Sequence, residues 1–196
     1  MERLWLFLIA LAAYIIGSFP TGYVLVKLKT GKDIRRVGSG STGGTNTARL
    51  LGWRYGVLVA LVDILKCFIL VFVFSKVISS EWVIVVVILA VTLGHIFSCF
   101  IRFKGGKGVS TIVGGLILLL SWMWLPLAAV WTTVLLSTKK MSLTNLVSVV
   151  LLPLFLWISQ RSLVYVAFGI LAIFIIYFSH RENIGRLLRG REPDAF

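Results

Sequence analysis

The sequence predicts an all-α integral membrane protein, on two grounds: long apolar runs, and basic residues gathered in the short stretches between them. Hydrophobic residues make up 59% of the 196 and charged residues 14%, with a mean hydropathy of +0.99; a soluble domain carries roughly 25% charge. Several runs approach the ~20 residues that cross a bilayer as helix. The net charge of +13 would suit nucleic acid, but a soluble basic binder has no use for such runs. The partners expected are therefore membrane lipid and phosphorylated small molecules, and no nucleic acid.

Leu4 to Val26 forms the first expected span, with Gly17 and Pro20 near its end. It is too long, and too poorly matched at a cleavage site, for a removable signal peptide. Val57 to Ile78 and Trp82 to Ile101 follow, separated by Ser79, Ser80 and Glu81. The next apolar stretch is Val109 to Leu136; another runs from the basic pair Lys139 and Lys140 to Ile158, and Leu163 to Ser179 is the last. Cys67 and Cys99 lie in apolar runs and are expected to be buried, inert thiols.

Orientation follows from the basic residues, because Lys and Arg in short loops stay cytoplasmic. Sixteen of the 20 fall in four groups, at Lys27 to Arg54, Arg102 to Lys107, Lys139 with Lys140, and Arg181 to Arg191, whereas Arg3, Lys76 and Arg161 mark the opposite side. Placing all four groups on one side requires an even number of crossings between each pair. Val109 to Leu136 must then cross twice, as short helices broken around Ser121 and Pro126. The expected architecture is seven transmembrane helices, two of them short, with the N-terminus outside and the C-terminus cytoplasmic. It is a single membrane domain over 1–196, with cytoplasmic loops at about 27–55, 102–108 and 137–143 and a tail at 180–196. Six spans, with one long tilted helix over Val109 to Leu136, would put either Lys139 and everything after it or everything before it on the wrong side.

The polar run from Gly38 to Arg49 interrupts this pattern. Gly38, Gly40, Gly43 and Gly44 allow backbone N–H groups to point into one concavity, since glycine reaches positive φ without steric cost. Ser39, Ser41, Thr42, Thr45, Asn46 and Thr47 add donors, and Arg49 supplies a planar fork suited to phosphate. Gly38, Gly40 and Gly43 also fit G-x-G-x-x-G, but a dinucleotide site needs a preceding strand, and none is expected here. A second candidate phosphate cradle, Lys104-Gly105-Gly106-Lys107-Gly108, leads straight into the helix beginning Val109-Ser110-Thr111, whose N-terminus favours anions.

The third cluster is His180-Arg181-Glu182-Asn183-Ile184-Gly185-Arg186. If the last span continues as helix, His180 and Asn183 share a face, Glu182 pairs with Arg186, and Ile184, Leu187 and Leu188 form an apolar stripe. Within the spans, Asp63 and Lys66 stand i,i+3 and His95 about two turns from a helix end; charges at such depth are paired or functional. Metal-dependent phosphotransfer would need clustered carboxylates, and acyl-CoA glycerolipid acyltransfer a His-x-x-x-x-Asp pair; the sequence has neither. A transporter or channel for a phosphorylated anion is the alternative from another class, but it requires a polar path through segments that are apolar in their outer halves.

Together these residues resemble the bacterial membrane acyltransferases that move a fatty acyl group from acyl phosphate to the 1-hydroxyl of glycerol 3-phosphate. Gly38-Ser39-Gly40 with Thr45, Asn46 and Arg49 looks like the family's first motif, Lys104 to Gly108 its second, and His180 to Ile184 its third. Asp63 with Lys66, and Gly94-His95, stand where the family has similar residues, while Ser41 replaces its usual Asn. The resemblance implies a cytoplasmic-face active site in the bacterial inner membrane, lysophosphatidate as product, and no metal or cofactor. It implies catalytic parts for Ser39, Arg49, His180 and Asn183. The substrate phosphates fall to Gly38, Gly40, Gly43, Thr45, Asn46, Lys104, Gly105, Gly106, Lys107 and Gly108, and structural support to Asp63, Lys66, His95 and Glu182. His180 serves either as the base for the attacking hydroxyl or, with Asn183, as an orienting group for glycerol 3-phosphate. Either loop can take either phosphate, acyl phosphate on the first being the favoured assignment.

Overall fold

The computed structural model describes residues 2–195 apart from the side chains of Glu2 and Arg3, so the outer-side assignment of Arg3 lies outside the described residues. Every regular element among them is helical. The chain forms two compact units, one through Leu116 and one from Ile117.

In the first unit the initial apolar run is two helices, α1 (Glu2–Ser18) and α2 (Thr21–Thr30). The interruption follows from Pro20, which lacks an N–H and disfavours helical backbone at the residue before it. Carbonyls released at the break are taken up from elsewhere. The Lys66 ammonium donates to Gly17 O at 2.9 Å and Phe19 O at 3.3 Å, and the Ser98 hydroxyl donates to Ser18 O. Lys66 lies on α4 (Trp53–Val77), where it pairs with Asp63 at 2.9 Å, the two side chains 8% and 1% exposed. Asp63 also accepts from Thr21 Oγ1 at 3.0 Å. The expected Asp63–Lys66 pair thus ties α4 to both sides of the Pro20 break.

Helix α5 (Glu81–Ile96) packs along α1. The two backbones approach so closely that a Cβ on Gly94 would strike the Tyr14 carbonyl, and one on Gly17 the Val91 backbone. On α4, Val59, Asp63, Cys67 and Val71 are buried, while Leu58, Leu61, Leu65, Ile69 and Phe72 form an exposed apolar stripe at helical spacing. That is the face expected to meet lipid. Two short helices complete the unit: α3 (Gly44–Leu51) crosses α4, and α6 (Val109–Leu116) packs on α4 and α5. The third apolar run stops being regular helix at Ile96, and Cys99 sits in a 3-10 turn over Cys99–Ile101. Its thiol is exposed while Cys67 is buried, so only one of the two cysteines is enclosed as expected.

The second unit contains α7 (Trp124–Thr138), α8 (Met141–Val150), α9 (Leu152–Gln160), α10 (Leu163–Ser179) and α11 (Arg181–Leu188). Regular helix is absent between Leu116 and Ser121, as the sequence requires, but Pro126 lies in the first turn of α7, where a missing N–H breaks no helical bond. At 8 and 15 residues, α6 and α7 are about 12 and 22 Å long. Helices α8 and α9 bend by 45° ahead of Pro153, and α10 and α11 by 65° at His180. Among the described residues, three helices are long and apolar enough to cross a membrane, or up to five if each bent pair is one span.

Removing Asp63 leaves a buried ammonium without its counterion, whereas Thr21→Val removes one neutral donor. Asp63→Ala is expected to cost ~3–5 kcal/mol and Thr21→Val about 1. The ordering is checked by the yield of monodisperse protein and its thermal unfolding midpoint in detergent.

Candidate active site

The first glycine loop is organised from within by Asn46. This residue stands in the first turn of α3, and its side chain is 1% exposed. Its Oδ1 accepts from the Ser39 N–H at 3.0 Å, and its Nδ2 donates to Val37 O at 3.0 Å, Ser41 O at 2.9 Å and Ile34 O at 3.3 Å. Asn46 is therefore occupied in holding the loop. Gly38 and Gly40 have φ of 60° and 70°, as predicted; at Gly38 a Cβ would also collide with Asn46 Oδ1. Gly43 differs, being an extended helix cap at φ −81°, and Gly44 is small for another reason. A Cβ there would come 2.6 Å from Gly56 O, where α3 crosses α4. Ser39 is half-buried, and Thr45 and Arg49 lie one turn apart on α3, with Arg49 exposed.

Upstream, Asp33 receives Arg35 Nε at 2.9 Å and Nη2 at 2.7 Å. The hydrogen bonds from Arg35 lower its carboxyl to about 2, so the pair stays charged throughout the physiological range. Arg35 Nη1 reaches across to Ile101 O at 2.8 Å, fastening the first loop to the start of the second.

The second loop lies over the end of α5. Gly105 N donates to Ile96 O at 2.9 Å and Gly106 N to His95 O at 3.0 Å, while Gly105 O accepts from Thr42 N at 3.5 Å. Both of these N–H groups are thus spent on the helix end. The reason for glycine is proximity, since a Cβ on Gly106 would overlap the His95 imidazole. That ring is set by Lys66, whose Nζ lies 3.1 Å from His95 Nδ1. The same Nδ1 lies 3.6 Å from Asp63 Oδ1, so the imidazole beneath Gly106 is part of the Asp63–Lys66 cluster. Gly108, at φ 84°, turns the chain into α6, where Thr111 Oγ1 and Ile112 N close on its carbonyl at 2.8 and 3.0 Å. Lys104 is exposed and Lys107 half-buried.

In the second unit, the third motif is folded against the chain's tail. His180 is 1% exposed, with Nδ1 2.9 Å from Ile176 O and 3.2 Å from Ser179 Oγ. The bend places it at the junction of α10 and α11 rather than inside a continuous helix. Asn183 Nδ2 donates to Glu192 Oε1. Arg186 Nε meets Glu192 Oε2 at 2.7 Å, so its partner is Glu192 and not Glu182, which is exposed. The tail reaches back across six residues to take the guanidinium. Leu188, expected in an apolar stripe, is 84% exposed. Ser142 Oγ also binds Glu192 Oε1, at 2.8 Å. Glu192 was missed by sequence reasoning, since no helical spacing or motif links it to Asn183. Among the described residues no three His, Cys, Asp or Glu side chains are grouped to hold a metal ion.

A family model described as glycerol-3-phosphate acyltransferase matches residues 7–190. The chain belongs to the glycerol-3-phosphate acyltransferase family. A family member from Aquifex aeolicus is 42% identical over 181 residues, 92% of this chain and 94% of its own. One from Fusobacterium nucleatum is 40% identical over 180 residues, 91% and 92% of the two chains. Among solved structures, the chain resembles PlsY, an integral membrane glycerol 3-phosphate acyltransferase, in its glycerol 3-phosphate form. The TM-score is 0.91 and the identity 38%, with 96% of this chain and 94% of that one covered. The lysophosphatidic acid form of PlsY gives a TM-score of 0.86 at 35% identity, again covering 96% and 94%. In this acyltransferase chain the three motifs are therefore embedded in a matching backbone.

Asn46→Ala removes the loop's internal partner while leaving α3 free to form. Amide exchange at Ser39 and proteolytic cleavage over 37–44 are expected to rise at least about tenfold, with helical circular dichroism unchanged.

Proposed function

We propose that this protein transfers a fatty acyl group from acyl phosphate to the 1-hydroxyl of glycerol 3-phosphate, giving 1-acyl-glycerol 3-phosphate. The observation that carries the proposal is the joining of the two glycine loops through Arg35–Ile101 and Thr42–Gly105. The loop bearing Ser39 and leading to Arg49 and the loop bearing Lys104 and Lys107 thereby share one hydrogen-bonded frame. PlsY supports the reading, having been solved in glycerol 3-phosphate and lysophosphatidic acid forms.

Acyl phosphate is a mixed anhydride whose leaving group is stable as an anion. The protein must mainly hold two phosphates and stabilise the oxyanion formed when the hydroxyl oxygen attacks the acyl carbon. Arg49 with Ser39 and Thr45 serves the acyl phosphate, and Lys104 with Lys107 the second phosphate. His180 is the base and Asn183 orients glycerol 3-phosphate. An imidazole whose Nδ1–H donates to the Ile176 carbonyl carries its lone pair on Nε2, as a base requires. The tetrahedral intermediate then expels phosphate, and the new ester retains the glycerol phosphate.

In this proposal the chain is one membrane domain in the bacterial inner membrane, with α6 and α7 as two short crossings among seven. The N-terminus is outside, and the active site and C-terminus are cytoplasmic. Single cysteines at Lys32, Arg102, Lys139 and Arg191, in a background lacking Cys67 and Cys99, are expected to resist an impermeant thiol reagent in intact cells. Cysteines at Ser79 and Arg161 should react. Labelling at position 139 from outside would end the seven-crossing arrangement.

The decisive assay supplies purified protein with glycerol 3-phosphate and either acyl phosphate or acyl-CoA. Lysophosphatidate should appear with acyl phosphate alone and persist in EDTA; robust turnover of acyl-CoA would overturn the donor. Arg49→Ala and Lys104→Ala should each cost at least ~2 kcal/mol in kcat/KM. His180→Ala should reduce kcat by at least ~10², whereas a rise confined to the glycerol 3-phosphate KM would mark it as an orienting group.

A further inference from the structure

Residues Gly190 to Ala195 are held against the junction of α7 and α8 at several points. Lys140 Nζ meets Asp194 Oδ1 at 2.7 Å and the Glu192 carbonyl, and Ala195 N donates to Lys139 O at 2.7 Å. Between these anchors the Glu192 side chain turns inward and is 4% exposed. It receives a hydroxyl from α8, through Ser142, and an amide and a guanidinium from α11, through Asn183 and Arg186. Burial alone would raise its pKa, but these hydrogen bonds outweigh that and hold the carboxyl below its usual range. The group is thus an ionised acceptor with both oxygens occupied.

An Asn side chain at a helix start has rotatable bonds and no intrinsic reason to keep one orientation. A fixed carboxylate supplies one, by accepting one amide hydrogen and turning the amide plane. Arg186 has a similar dependence, since its Nη2 is buried without a partner and Nε is its charge-assisted contact. Loosening Glu192 would therefore strand donors on two residues of α11 at once, and stranded buried donors are costly enough to drive a rearrangement.

We propose that Glu192, outside all three motifs, is a positioning residue that fixes the Asn183 amide and seats α11 on α8 through Ser142. This rests on the assignment of Asn183 to glycerol 3-phosphate above. The tail beyond α11 is accordingly a working part of the enzyme, with Lys140 and Asp194 as its outer clasp.

The test measures both Michaelis constants of purified full-length Glu192→Gln, Glu192→Asp, Asn183→Ala and the double variant Asn183→Ala/Glu192→Gln, with acyl phosphate and glycerol 3-phosphate. Glu192→Gln should raise the glycerol 3-phosphate KM about tenfold, leaving the acyl phosphate KM within about twofold. Glu192→Asp should recover part of the loss. Because Glu192 acts through Asn183, the double variant should be no worse than Asn183→Ala alone. Losses that multiply, wild-type constants in Glu192→Gln, or a faster enzyme would each overturn the proposal. Should Glu192→Gln fail to fold, Ser142→Ala removes one hydroxyl and leaves the carboxylate; a rise of about threefold in the same KM supports the proposal, and unchanged constants overturn it. A wild-type enzyme that forms no lysophosphatidate would instead refute the function itself. A wild-type enzyme that is active, with Asn183→Ala impaired and Glu192→Gln normal, refutes only the role of Glu192.

Discussion

Pro20 forces the chain to release backbone carbonyls at the end of its first helix, in a run apolar enough to lie within a membrane, where no water is at hand to take them up. The Lys66 ammonium donates to Gly17 and Phe19 just ahead of the break, and the Ser98 hydroxyl to Ser18 between them. A lysine at that depth is itself expensive and needs a counterion, which Asp63 provides from one helical turn away. The nearby His95 Nδ1 lies against both members of this pair, and its ring sits under the glycine at position 106. The seat of the second loop is thus linked, contact by contact, to a proline between α1 and α2.

The two loops use glycine for different reasons. In the first, positive φ at Gly38 and Gly40 lets the backbone wrap around Asn46. In the second, Gly105 and Gly106 permit the chain to lie on the carbonyl end of α5. Both arrangements consume backbone donors internally. Anion recognition in the proposed mechanism therefore relies more on side chains such as Arg49 and Lys104, mounted on a stiff frame, than on a nest of N–H groups.

Much of this was legible in the sequence because it depends on local spacing. Asp63 and Lys66 are a turn apart, Pro20 and Gly17 lie together, and the turns at Lys139 and Arg161 follow from polar interruptions between apolar runs. What escaped was of two kinds. The commitments of Asn46, Gly105 and Gly106 arise from a loop folding onto itself or onto a helix end, and composition cannot tell a donor aimed inward from one aimed outward. The partner of Arg186 was misread because the i,i+4 rule assumes a continuing helix and says nothing of a tail that returns, where Glu192 offers a buried and better-satisfied carboxylate than the exposed Glu182.

The unequal environments of the two cysteines have a practical side. Cys67 is enclosed beside the polar cluster, whereas Cys99 presents its sulfur in the turn between α5 and the second loop, five positions ahead of Lys104. A bulky maleimide dye would therefore discriminate between them without any engineering. Its emission, responsive to local polarity, would provide a native optical gauge of whether the lysine-bearing loop rearranges when an anion arrives.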